Sequence, residues 1–222
     1  MSSALDPTPR PPVPPRLPEP LRPAGDADPE HDAVLRAAQI TWDGGARVDA
    51  RGVRVVGGRL DAVDLTGARL PLLDLSDVLV AGGSLANADL REAAWRRVEV
   101  RGARLTGVRL TDARLDDIVL ADCRIDLAAL SGARLRRVVL RDCRVAGSDL
   151  QGLAGEDLVL EGCDLREVDL SDARFTRTEL RGCRLDAARG LERLRGVGMP
   201  FGDVLENAGA FAGHLGIRLL ES

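Results

Sequence analysis

Lysine and tyrosine are absent from this 222-residue chain, and aromatic residues of all kinds make up only 2% of it. All 31 basic positions are therefore arginine, which reads as a GC-rich coding bias and a bacterial chain, and 35 acidic residues leave a formal charge of -4. That balance argues against direct nucleic-acid binding, as does the lack of a basic run interleaved with aromatics. No 18-residue apolar span occurs and no charged-then-apolar leader opens the chain, so a cytoplasmic protein without membrane contact is expected. There are two histidines, one near each end, and no G-x-S-x-G, P-loop or G-x-G-x-x-G spacing. The chain therefore reads as no enzyme, with no catalytic residue, cofactor or metal.

Between Val53 and Leu185 helical and strand-like periodicities are missing as well. From Val53 to Leu185 every fifth residue is large and apolar: Leu60, Leu65, Leu70 and Leu75 open the series, Trp95 and Phe175 are its aromatic members, and Gly155 is the single lapse. A period of five fits neither a 3.6-residue helix face nor a two-residue alternation, so a repeat architecture is required. A smaller apolar residue stands two places before each centre, and Gly, Asp or Asn two places after it. If each unit is one side of a square coil, the first two columns point inward and the third makes the corners, where positive φ is needed. Four sides give a twenty-residue coil, and about seven coils give a rod on the order of 30 Å long. Leu110, Leu130, Leu150 and Leu170 should then stack one per coil.

The triplets Ala88-Asp89-Leu90, Ser148-Asp149-Leu150, Cys163-Asp164-Leu165 and Val168-Asp169-Leu170 resemble the A-(D/N)-L-X-X unit of pentapeptide repeat proteins. The resemblance implies an all-β fold, a right-handed quadrilateral parallel β-helix. It leaves function open, because a fold does not fix one.

Four segments are expected, the repeat among them. Residues 1-30 hold ten of the twelve prolines and read as a disordered, polyproline-like tail, although Pro11-Pro12-Val13-Pro14-Pro15-Arg16 has the PxxPxR spacing of groove ligands. Residues 31-45 read as an N-terminal helical cap, with a helix over Asp32 to Ile40 and Trp42 packed beneath it. The β-helix occupies 46-189, and 190-222 form a C-terminal cap with a helix over Phe201 to His214 and a strand over Ile217 to Leu220. Cys123, Cys143, Cys163 and Cys183, twenty residues apart, read as buried structural thiols in the small inward column, neither bridged nor metal-bound. The swap of Leu153 for the lapse at Gly155 should keep the local core filled.

For function the sequence favours a non-enzymatic protein-binding or scaffold module that presents a rigid rod to a protein partner or to its own copy. The candidate contact surface is an outward stripe, Leu79, Val119, Val139 and Val159, which should be covered by another chain or by a terminal segment. The C-terminal cap is a second candidate for a homodimer. The alternative comes from the resemblance: some family members mimic DNA, bind DNA gyrase and modulate quinolone sensitivity, which would call on an acidic face here of Asp89, Glu92, Asp112, Asp149, Asp169 and Asp172. Against it, residues 51-187 carry 23 acids and 22 arginines.

Overall fold

In the computed structural model, which describes residues 8-24 and 29-218, the chain winds into a parallel β-solenoid of about eight turns. Nine strands lie in sequence order: β1 (Arg22–Pro23), β2 (Val34–Ile40), β3 (Arg54–Asp61), β4 (Asp74–Ala81), β5 (Ala94–Arg101), β6 (Arg114–Ala121), β7 (Arg134–Arg141), β8 (Ala154–Glu161) and β9 (Arg174–Arg181). From β2 onward each residue pairs with the one twenty positions later, as in Leu115↔Leu135 and Leu120↔Leu140. The coil is therefore twenty residues, in register along its length.

Four residues per coil take positive φ at five-residue intervals, for example Asn87, Glu92, Arg97 and Gly102 at 57°, 59°, 52° and 62°. Two of these corners are tight turns closed by i→i+3 bonds, Ala88 N–H to Leu85 O and Ala93 N–H to Leu90 O, both 3.1 Å. The other two fall within or at the end of a strand, so each long strand covers two sides of the square. Gly, Asn and Asp are not the only corner residues: Arg97, Arg137, Arg177, Leu72, Leu127 and Glu167 adopt the same conformation. The inter-coil ladder, with a hydrogen bond at nearly every step, outweighs a local preference of about 1 to 2 kcal/mol.

Inside, Leu110, Leu130 and Leu170 are buried, while Leu150 is only partly so. In the adjoining column Gly155 stands between Leu135 and Phe175. Leu158 and Phe175 lean into its place, so that a Cβ there would lie 2.4 Å from Leu158 Cδ1 and 3.1 Å from Phe175 Cδ1. An apolar cavity of about 80 Å³ runs along the core between Trp95 and Leu194, with Leu130, Leu150, Leu160 and Phe175 in its lining. Leu153 is buried, and the coil is unbroken across the lapse, with β8 in register on both sides.

The two ends differ from the sequence expectation. Val34–Ile40 is strand, with no helix over Asp32 to Ile40: Leu35 and Ile40 pair with Val55 and Leu60 and continue the five-residue period one coil earlier. Trp42 is buried beneath the first coils. The open edge of β2 is met by β1, whose Pro23 offers no N–H to extend the sheet. At the other end the single expected helix is two, α1 (Phe201–Glu206) and α2 (Ala208–His214), broken at Asn207. No strand forms at Ile217 and Arg218, and the rest of that expected strand lies outside the described residues.

The proline-rich segment is the largest departure. Residues 8-18 do not hang free as a solvated tail but lie along the outside of the rod as a strap, running against the direction of coiling. Arg10 sits over Asp157, Val13 over Asp117, Arg16 over Asp77, and Pro18 over Gly57. The expectations for residues 1-7 and 25-28 lie outside the described residues.

Candidate functional site

The surface beneath the strap is built from one corner column: Ala37, Gly57, Asp77, Arg97, Asp117, Arg137, Asp157 and Arg177, every one at positive φ. From Asp77 onward acid and base alternate coil by coil. Each arginine reaches back one coil and forks onto the aspartate: Arg97 Nε–Asp77 Oδ1 is 2.6 Å, Arg137 Nε–Asp117 Oδ1 2.5 Å, and Arg177 Nε–Asp157 Oδ1 2.6 Å, each with a second bond from the terminal nitrogen to Oδ2. These forks hold all three carboxyls below the ordinary aspartate range. Asp117 and Asp157 are 6% and 1% exposed, so the carboxylates are fixed rather than waving in solvent.

Each carboxylate also accepts a backbone N–H from the strap: Arg10 to Asp157 at 3.1 Å, Val13 to Asp117 at 3.0 Å, Arg16 to Asp77 at 2.9 Å. Between Pro9 and Arg16 these three residues are the only ones that possess an N–H at all. Arg10 adds its side chain to Asp157 at 3.1 Å and to Glu156 at 3.6 Å.

The valine stripe is in vertical register, with Val119 opposite Val139 and Val139 opposite Val159. Leu79 is separated from it by Glu99, which occupies the coil between. Val139 is 6% exposed, and the stripe lies two residues past the column that carries the strap. The acidic face is brought together less well. Asp89, Arg109, Ala129, Asp149, Asp169 and Arg189 form one ladder, so arginines interrupt it. Asp89 is bonded by Arg91 at 2.8 Å and Arg109 at 3.3 Å, and Asp169 by Arg189 at 2.7 Å. Hydrogen bonds from Ser171 and Gln151, with Arg189 nearby, lower the Asp169 carboxyl to about 2. Glu92, Asp112 and Asp172 occupy exposed corners, with Gly132 and Gly152 between the last two.

The four cysteines are free and buried, each thiol within sulfur hydrogen-bonding distance of backbone carbonyls, as in Cys123 Sγ to Ala121 O at 3.2 Å. Contact with neighbouring thiols, together with burial, pushes Cys123 and Cys163 above the ordinary thiol range. Among the described residues no group of three or more His, Cys, Asp or Glu side chains is placed to hold a metal, and no helix is long and apolar enough to cross a membrane.

At the C-terminal cap, Asn207 does what the next coil would do. Its Oδ1 accepts the Leu185 N–H at 2.8 Å and its Nδ2 donates to Cys183 O and Asp203 O, both at 2.9 Å. Beyond it the cap leaves Phe201, Leu205, Leu215 and Ile217 exposed at 77%, 59%, 72% and 55%.

The family model for pentapeptide repeats matches residues 84-122 and 157-189 in eight copies. Among solved structures, a trypsin-treated form of QnrB1, described as a plasmid-mediated fluoroquinolone resistance protein, is 16% identical over 88% of this chain and 95% of its own, with a TM-score of 0.41. HetL from the cyanobacterium Nostoc, involved in heterocyst differentiation regulation, is 23% identical over 81% of this chain and 94% of its own, at 0.33. Rfr23 from the cyanobacterium Cyanothece is 22% identical over 46% of this chain and 63% of its own, at 0.35. No curated protein matches the sequence.

Proposed function

We propose that this chain, a pentapeptide repeat protein, is a non-enzymatic scaffold that pairs with its own copy through the C-terminal cap and presents the rod to a protein partner. The observation that carries the reading is where apolar surface is left open. Of the exposed large hydrophobic residues among those described, Phe201, Val204, Leu205, Leu215 and Ile217 all belong to the cap or follow it directly, whereas the coil contributes Val34 and Leu127 and the strap Val13. Exposed apolar residues gathered in one short segment point to a contact site, while scattered single residues do not. Light scattering should give a dimer mass for the wild type and a monomer mass for Phe201→Asp with Leu205→Asp. A wild type that is already monomeric would end the self-association reading.

The gyrase-directed alternative draws on Asp149 and Asp169, stacked on adjacent coils, with Asp172 at the next corner after Asp169. It is the weaker reading, because displacing DNA from a basic saddle needs continuous negative charge and three of the six acids, Asp89, Asp169 and Asp172, are paired with arginine. Supercoiling by gyrase should be unchanged by the purified protein. Inhibition relieved by reversing the charge of Asp149, Asp169 and Asp172 would reverse this ranking.

A further inference from the structure

We propose that the Asp77, Asp117 and Asp157 column is a binding groove for polyproline-II segments, filled in cis by residues 8-18 and able to take the same segment from a second copy.

The match is metrical. A polyproline-II chain rises about 3.1 Å per residue with three residues per turn, so one face recurs every 9.3 Å or so. Two coils of a parallel β-solenoid span roughly 9.6 Å. The aspartates recur every second coil and the strap's N–H groups every third residue, so donors and acceptors stay in step over three contacts. The intervening coils carry Arg97, Arg137 and Arg177, which lock each carboxylate with a two-nitrogen fork and leave it lone-pair capacity for the incoming N–H. Pro9, Pro12 and Pro15 are half-buried while the residues between them are exposed, which is the three-edged pattern of a polyproline helix lying on one edge. Arg10, pairing with Glu156 and Asp157, fixes which end is which. A segment with a donor every third residue is therefore what this surface selects, and the chain's own sequence is one.

Complementation tests this directly. One variant carries Val13→Pro and Arg16→Pro, which keeps the strap's backbone conformation and deletes two donors. The other carries Asp117→Ala and Asp157→Ala, which deletes acceptors while keeping the strap; alanine is tolerated at such corners, as Ala37 and Ala62 show. Both are made with Phe201→Asp and Leu205→Asp, so that pairing through the cap does not contribute to the mass. Circular dichroism verifies the coil in each. Mixed, they should form a heterodimer that neither forms alone. A fluorescent peptide of residues 8-18 should bind the donor-deleted variant, and the same peptide with Val13→Pro should bind at least about tenfold more weakly. Absence of the heterodimer, or equal binding of the two peptides, overturns the proposal.

Discussion

At the residue scale, single polar side chains finish what the repeat leaves open. A solenoid's last coil has backbone groups with no following coil to pair with, and Asn207 supplies both an acceptor and a donor there while buried. Asn207→Ala should cost about 2 to 4 kcal/mol by urea unfolding, since it leaves Leu185 N–H and Cys183 O without partners. Little of this was legible beforehand. Asn207 falls inside an unbroken helical pattern, and nothing in the pattern says that a helix must break there to turn one amide toward the rod. The thiols, by contrast, were legible, because a twenty-residue spacing in a twenty-residue coil leaves a small inward-facing residue only one place to go.

At the scale of elements, the edge of the sheet overrides local pattern at the amino-terminal end. Val34–Ile40 satisfies helical spacing, yet Leu35 and Ile40 also keep the five-residue beat of Val55 and Leu60, and pairing with β3 decides between them. The strap was hidden because its signal is split. Prolines at all but every third position mean nothing until set against an Asp/Arg alternation with a period of forty residues that runs from Asp77 to Arg177. Its pH response follows from the lowered carboxyls. Asp77, Asp117 and Asp157 titrate below the ordinary value of about 3.9, so their contribution to docking is complete above that value and lost as the pH falls through the lowered ones. The Val13 amide resonance should therefore hold its docked position from neutral pH to about 4 and move toward its free position only below it. Movement between pH 6 and 7 would contradict the assignment.

At the scale of the whole molecule, the fold was the most legible property and the partner the least, because the period of five dictates a coil whatever faces outward. Leu79, set apart by Glu99, and the acidic face, broken by Arg109 and Arg189, show how a column read from one-dimensional spacing can lose its meaning once its neighbours are known. The strap also constrains how such a gene can lengthen. Repeat proteins grow and shrink by copying or dropping whole units, and an ordinary solenoid tolerates any number of them. Here a single coil copied between Asp117 and Asp157 would carry the last aspartate about 4.8 Å out of step with Arg10. Hydrogen exchange should then show the Arg10 amide unprotected while Val13 and Arg16 stay slow. Copying two coils, with one further x-P-P triplet placed between Arg10 and Val13, should restore it. Duplications in this stretch are thus admissible in pairs, and the amino-terminal prolines keep the tally.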